Sequence, residues 1–453
     1  MKHFLLRSGV DRAVFFTLLG RGWSIGAGLL TIIFITHFLT PELQGFYYTF
    51  NSLIALQIFA ELGLNYAVIQ FASHEMAKLS WLPGGTVTGD AEAKRRLQSL
   101  MHFAFSWFGV AALIMIVLLL PAGLYFFNTG NQAIISSHNV SVPWIFLVIF
   151  TAANLFVTAA AAILEGCGKV AQVALMRLWQ SLFSVTMVWL VLTMGGHLYA
   201  LTASSLMTAF IGAAWLWRSY GDFYKDLIAH RTISPGMSWR KEIWPFQWRI
   251  AVSWMSGYLI FQLIIPLLFK THGPIVAGQM GMSLQIIGAM NGAAMAWIST
   301  KAPTYGQMIA NKQRAELDAL FARGLFQSLV FLIVSIVAVW TILYFLKEAN
   351  SSYALRALPL PLFSLLFLAS IANHIVFAEA AYLRAHKEEP FMLLSVLSGL
   401  TTAFLAIILV PSLGASGAVY SYVATALVIG LAGGTTVFLY KRKQWVARQP
   451  DNV

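Results

Sequence analysis

Apolar residues run through this chain in long blocks, not at the three- and four-residue spacing of a helix with one face in water. Blocks of about 20 or more apolar residues, each enough to cross a hydrocarbon core of about 30 Å, lie at 14–39, 46–73, 101–126, 142–164, 172–194, 198–217, 245–269, 275–299, 324–346, 358–383, 390–411 and 415–440. Each predicts a membrane-spanning helix. The narrowest break, Gly195-Gly196-His197, leaves room for only a tight turn between the fifth and sixth spans. The first block carries Arg21, is too long for a cleavable leader and lacks a small-residue cleavage site, so it is expected to remain as a span.

Composition agrees with the pattern. Of 453 residues 59% are hydrophobic and 10% charged, against about 25% charged in ordinary soluble domains. Water could not solvate such a chain. The net charge of +12 would suggest a nucleic-acid partner in a soluble protein, but no aromatic–basic motif accompanies it and none is expected. The basic residues instead report orientation. With the N-terminus inside, 24 of the 29 lysines and arginines fall in cytoplasmic segments, and only Lys270, Lys347 and Arg356 fall in outer loops. That bias predicts both termini in the cytoplasm. Cys167 is the single cysteine, which excludes an intramolecular disulfide and a cysteine-based metal site.

A weak repeat crosses the chain. Pro41-x-x-x-Gly45 opens the second span and Pro274-x-x-x-Gly278 the eighth, 233 residues later; Lys169 matches Lys387, and Gly196 matches Gly414, at an offset of 218. The expected fold is therefore an all-α integral membrane protein with about 12 transmembrane helices in two pseudo-symmetric six-helix bundles around a central cavity. The bundles would be 1–217 and 245–440, with a basic cytoplasmic linker at 218–244 and a basic cytoplasmic tail at 441–453.

Polar residues inside spans are the candidates for function, since a charge at a helix centre costs at least about 2.5–3.5 kcal/mol. Arg21 shares a helical face with Ser24, Gly28 and Thr31, and Arg249 begins a similar stripe with Ser253 and Ser256. As a pair they would line the cavity near its cytoplasmic mouth; as anchors they would snorkel to the interface. Gln57, Glu61 and Asn65, spaced by four, predict a polar face on the second helix that cannot meet lipid. Glu61 suits ion coupling, pairing with Arg21, or a structural hydrogen bond. Further polar faces are Asn154/Thr158/Glu165, Arg177/Gln180/Ser184 and Ser370/Asn373/His374, while Glu379, Lys301 and Arg384 read as interfacial anchors. The aromatic residues read mainly as interface belts, with Trp239, Trp244, Trp248 and Trp254 bracketing the seventh span.

Catalytic patterns are missing. The segment 128–141 has no acid, and only Glu42 and Glu348 are acidic outside. No phosphate-binding Gly-rich loop, zinc signature or Ser/His/Asp arrangement is visible. A transporter without a cofactor or metal fits better than an enzyme.

Several stretches carry a family resemblance: Thr40-Pro41-Glu42-Leu43-Gln44-Gly45-Phe46-Tyr47-Tyr48, Glu61-Leu62-Gly63-Leu64, Leu164-Glu165-Gly166-Cys167-Gly168-Lys169, Trp244-Pro245-Phe246-Gln247-Trp248-Arg249 and Ala277-Gly278-Gln279-Met280-Gly281-Met282. In these the chain resembles polysaccharide (O-antigen-type) flippases of the multidrug/oligosaccharidyl-lipid/polysaccharide exporter superfamily. The resemblance implies movement of an undecaprenyl-diphosphate-linked oligosaccharide across the bacterial inner membrane by alternating access, with membrane lipids and a polysaccharide polymerase as further partners. Arg21 and Arg249 would then hold the diphosphate, because arginine offers bidentate, permanently charged donors. Gln57, Asn65, Asn154, Asn291 and Asn373 would hydrogen-bond sugar, and Glu61 would couple an ion. An ion-coupled multidrug exporter of the same superfamily is the nearest rival, kept alive by Glu61. A major-facilitator transporter lacks its usual Gly-x-x-x-Asp-Arg-x-Gly-Arg turn in 74–100. An integral-membrane glycosyltransferase is disfavoured by the acid-poor outer loops.

Overall fold

The computed structural model of the chain describes residues 12–128, 140–229, 239–386 and 390–447. Most of the outer segment 128–141, the middle of the linker, Lys2, Arg7, Lys387, Arg448 and the end of the tail lie outside the described residues.

Among the described residues, ten helical stretches are long and apolar enough to cross a membrane, and a pair bent by 43°, Pro41–Glu61 with Leu64–Met76, makes an eleventh. One of the ten, Gln247–Ile309, has 63 residues. Straight, it would reach about 95 Å at about 1.5 Å per residue, far more than one crossing. It breaks at Gly273 (φ 85°, ψ 176°), just before Pro274, where proline removes a helix donor. Division there gives the twelve helices that the hydropathy blocks predict. Large apolar side chains stay exposed along them, as at Leu113 (61%), Leu118 (63%), Phe404 (63%) and Ile407 (59%). Lipid, not water, suits such a surface.

The helices that position the candidate residues are, in chain order, α1 (Arg12–Phe38), α2 (Pro41–Ile54), α3 (Ile58–Glu61), α4 (Leu64–Met76), α5 (Ala91–Ile114), α6 (Leu120–Asn128), α7 (Ser141–Gly166), α8 (Val170–Thr193), α9 (Tyr199–Ala229), α10 (Trp244–Phe261), α11 (Ile264–Ser299), α12 (Ala302–Ala310), α13 (Arg314–Glu348), α14 (Leu360–Ala385), α15 (Met392–Leu413), α16 (Ala415–Thr425) and α17 (Gly434–Ala447). Between α4 and α5 the chain forms a small antiparallel hairpin, β1 (Leu79–Trp81) on β2 (Val87–Gly89). The sequence Pro83-Gly84-Gly85 turns it, with Gly85 at φ 81°. Trp81 fixes the hairpin by donating from Nε1 to the Cys167 carbonyl at 3.0 Å, with the Lys169 ammonium 4.4 Å from its ring. Asp90 then caps α5, accepting from the Ala93 amide at 2.8 Å.

The chain forms two compact units. Unit 1 holds Met1–Leu39 and Leu53–Met255; unit 2 holds Thr40–Ser52 and Ser256–Val453. The covalent order and the packing order thus differ: α2, from the first half of the sequence, packs within unit 2, and the start of α10 packs within unit 1. In unit 1, α8 packs against α1 and α9, and α7 against α4, α5 and α9. In unit 2, α11 packs against α13 and α14, α15 against α16, and α14 against the π-helical segment Ala426–Gly433. One end of unit 2 is an aromatic core of Tyr305, Phe321, Tyr382 and Phe438 around Leu317 and Leu383.

Candidate functional site

The second span is not one regular helix. After α2 the backbone tightens to a 3-10 turn at Ala55–Gln57, resumes as α3, and stops where Leu62 (φ 47°) and Gly63 (φ 66°) are both left-handed. Gly63 is needed twice over: its φ suits glycine, and a Cβ there would lie 2.6 Å from Ile250 Cγ2. This corrects the expected Gln57/Glu61/Asn65 face, which assumed an unbroken 3.6-residue period. Glu61 and Asn65 still meet across the break, Asn65 Nδ2 donating to Glu61 Oε2 at 3.3 Å. Gln57 instead lines a cavity of ≈ 570 Å³ whose other walls, including Leu56, Phe59, Ala60, Trp107 and Ile114, are apolar or aromatic.

Arg21 and Arg249 both belong to unit 1, and both side chains are exposed. The Arg249 guanidinium lies 5.7 Å from the centre of the Trp248 ring and has no carboxylate partner among the described residues. At the start of the same helix is an aromatic ladder: Trp107 to Trp239 at 5.5 Å and Trp239 to Trp244 at 5.0 Å. Around Arg21 the expected stripe divides. Ser24 back-bonds to the Gly20 carbonyl, whereas Thr31 is buried, bonds the Ala27 carbonyl and accepts from Trp189 Nε1 at 3.0 Å.

Other polar residues of unit 1 hold helices together. Arg177 pairs with Glu165 at 2.7 Å, and Gln180 donates to the Thr208 carbonyl at 2.8 Å. Asn154 is half-buried, with its Oδ1 shielded and unpaired. Arg96, at the start of α5, bridges Glu75 at 2.8 Å and Glu242 at 2.7 Å, which fastens the end of the linker to unit 1.

Unit 2 contains a cavity of ≈ 510 Å³ with a different lining: Asn51, Gln262, Gln285, Asn291 and Asn373 among the aromatic rings of Tyr48, Phe261, Phe377 and Tyr422. Asn291 Nδ2 donates to Ser370 Oγ at 2.6 Å, leaving its Oδ1 unpaired. Asn373 Nδ2 donates to Tyr422 Oη at 2.9 Å, and Ser52 donates to Gln262 Oε1 at 3.0 Å. Uncharged amides and hydroxyls beside ring faces suit a neutral polyhydroxylated ligand, which offers both hydroxyls and C–H faces. The structure brings Asn291 and Asn373 together here, while Gln57, Asn65 and Asn154 lie in unit 1. Sequence reasoning missed Asn51, Gln262, Gln285 and Tyr422. The available signal was polar residues within the second, seventh and eighth apolar blocks.

Two acidic and basic assignments change. Glu379, expected at the interface, is only 4% exposed and accepts from Thr435 Oγ1 at 3.0 Å. His374 does not share the cavity-facing side of Asn373; it is fully buried, 2.8 Å from Ser328 Oγ. The described residues contain no group of three or more His, Cys, Asp or Glu able to hold a metal.

A family model described as "polysaccharide biosynthesis protein" matches residues 10–296. Among solved structures, the chain is similar to an inward-facing multidrug resistance transporter of the MATE family of the MOP superfamily, with TM-score 0.67, 14% identity, and coverage of 97% of this chain and 99% of that one. It is also similar to the lipid II flippase MurJ in an inward closed conformation, with TM-score 0.58, 14% identity and coverage of 95% and 87%. A third is a MOP superfamily transporter from Pyrococcus furiosus, with TM-score 0.57, 13% identity and coverage of 97% and 96%. No curated protein sequence gives a significant match. At such identities the solved structures establish the all-α fold.

Proposed function

The chain belongs to the polysaccharide biosynthesis protein family, and on that premise we propose that it is a flippase for an undecaprenyl-diphosphate-linked oligosaccharide. It moves this lipid from the cytoplasmic to the periplasmic leaflet of the bacterial inner membrane by alternating access, for O-antigen or exopolysaccharide assembly. The observation that carries this reading is the uncharged amide–aromatic cavity of unit 2, whose chemistry matches sugar hydroxyls and ring faces. Asn291 and Asn373 are its sugar-binding residues. Arg249, exposed and without a carboxylate partner among the described residues, and Arg21 hold the diphosphate, the part of the cargo that a bilayer resists most. Glu61 couples an ion. Both termini face the cytoplasm, and a polysaccharide polymerase receives the product.

Translocation of a fluorescent undecaprenyl-diphosphate saccharide in proteoliposomes tests the reading. The wild type is expected to move it, and Asn291→Ala with Asn373→Ala to slow it. A wild type that leaves this lipid in place yet drives ion-dependent efflux of a small organic cation would overturn it. That second reading, a small-molecule exporter, has one observation in its favour: the buried Glu379 carboxyl has an unpaired oxygen.

A further inference from the structure

One side of the unit 2 cavity is a face of α11 without side chains. Gly281, Gly288 and Gly292 all line the cavity, and their spacing of seven and four residues puts them on one helical face. These glycines are there for different reasons. A Cβ at Gly281 would lie 2.4 Å from Tyr48 Cγ, so packing demands that glycine. A Cβ at Gly288 or Gly292 meets nothing within 4 Å. Glycine weakens a helix interior relative to alanine, and no neighbouring atom among the described residues requires it at 288 or 292. What these two positions provide is room on the cavity side for something that is not the protein.

Unused hydrogen-bonding capacity belongs to the same lining. Tyr48 is 5% exposed, lines the cavity and has a buried hydroxyl with no partner among the described residues. Such a group is costly unless a ligand completes it. The Tyr422 hydroxyl accepts from Asn373 Nδ2 at 2.9 Å, which leaves its own proton to donate. Charge is what the lining lacks: none of its residues is Asp, Glu, Lys, Arg or His. A sugar hydroxyl entering here exchanges water for amide and phenol partners at little net loss. A carboxylate would surrender its hydration with no cation to meet it, which costs far more than burying a neutral polar group.

We propose that this cavity is a charge filter on the saccharide: it seats an uncharged sugar ring against the bare backbone at Gly288 and Gly292 and rejects an acidic one. The proposal rests on the saccharide-lipid reading given above and deepens it by naming the class of sugar and two residues that make room for it.

Three lipids that share undecaprenyl diphosphate and differ only in the sugar test it: glucosyl, glucuronosyl and the methyl ester of the glucuronosyl lipid. The ester keeps the acidic sugar's skeleton without its charge. The full chain is assayed for binding in detergent and for translocation in proteoliposomes. The wild type is expected to bind and move the glucosyl and ester lipids alike, and to bind the glucuronosyl lipid about tenfold or more less tightly. Gln285→Lys, which puts a cation into the lining, should narrow or reverse that ratio. Gly288→Leu should weaken binding of the glucosyl lipid about tenfold without lowering thermal melting, since its side chain enters open space. Equal binding of all three lipids by the wild type would overturn the filter and leave the flippase. Rejection of the ester as strongly as the acid would assign selection to size and also overturn it. Discrimination in binding with no translocation of any lipid would remove the flippase and leave the filter, and binding of none would overturn both.

Discussion

Gly45 and Gly278, the equivalent glycines of the two Pro-x-x-x-Gly motifs, meet backbone to backbone inside unit 2. A Cβ on Gly278 would lie 2.9 Å from Gly45 N and 3.1 Å from its Cα, and a Cβ on Gly45 would run into the carbonyl of Pro274. Each of the two motifs thus supplies one side of a single helix crossing. One turn further along the same interface, Tyr48 fills the space left by Gly281, where a Cβ would meet the tyrosine ring. Gln44 seals the crossing, donating from Nε2 to the carbonyls of Gly278 at 3.0 Å and Arg356 at 2.9 Å.

Gly45→Ala is accordingly expected to destabilise the protein although alanine is the better helix former. The propensity gain is about 1 kcal/mol, whereas overpacking against immovable backbone costs about 1–3 kcal/mol or more. Gly28→Ala is the control, since a Cβ there meets nothing within 4 Å. Thermal melting in detergent should fall for Gly45→Ala and hold or rise slightly for Gly28→Ala. Equal melting of the two variants would contradict the close crossing.

Orientation can be read with the protein's own cysteine in place. Cys167 is buried, and burial pushes its thiol up to about 12. It should stay almost wholly protonated and inert to maleimide at neutral pH. Gly84→Cys puts a reactive thiol at the exposed tip of the hairpin, where a Cβ meets nothing within 4 Å. With both termini inside, labelling of intact cells should be negligible and should appear on permeabilisation. Strong labelling of intact cells would reverse the orientation.

The same hairpin gives a pH dependence. The Ala93 amide holds the Asp90 carboxyl below its usual range, with Lys78 and Arg95 adding to the effect. A carboxyl depressed on folding stabilises above its unfolded pKa, and that stabilisation is lost as pH falls through the folded value. Protease cleavage between 79 and 89 should therefore rise as wild type is acidified below the ordinary carboxylate range. Asp90→Asn keeps an acceptor at the cap without a charge to lose, so its cleavage should stay flat over that range; Asp90→Ala should be cleaved readily at every pH.

Hydropathy made the spans legible because the bilayer imposes one simple rule, about 20 apolar residues per crossing. The interior of a span is ruled by other things. Nothing in the run Leu56–Leu64 announces the left-handed Leu62, so a periodic face drawn through Gln57, Glu61 and Asn65 failed. Glu379 looked interfacial from its place near a span end, yet tertiary packing around Thr435 buries it. Asn291 and Asn373 are legible as polar positions within apolar blocks, whereas Asn51 and Gln262, which line the same cavity, are not singled out by any periodic sequence pattern. The chain returns α2 to unit 2, and no local pattern signals a long-range pairing of that kind.

The two arginines offer the sharpest test of the diphosphate assignment. Arg249 stands over Trp248 at 5.7 Å, an arrangement that leaves the planar fork open to a ligand while the ring steadies the cation. A charge-assisted phosphate contact contributes about 1.5–3 kcal/mol net. Its loss in Arg249→Ala should weaken binding of the diphosphate lipid roughly 10- to 150-fold, since about 1.4 kcal/mol is a factor of ten. Arg249→Lys keeps the charge but not the fork, so it should retain part of the activity. Arg21→Ala and Arg21→Lys should follow the same order if the exposed Arg21 shares the load. Simple interfacial anchoring predicts otherwise, with both lysine and alanine variants binding and translocating as wild type once normalised to protein level. Binding of undecaprenyl diphosphate by isothermal titration, beside saccharide-lipid translocation, distinguishes the two. Wild-type affinity in Arg249→Ala would end the assignment of that residue, and a loss in Arg21→Ala alone would move the diphosphate site to α1.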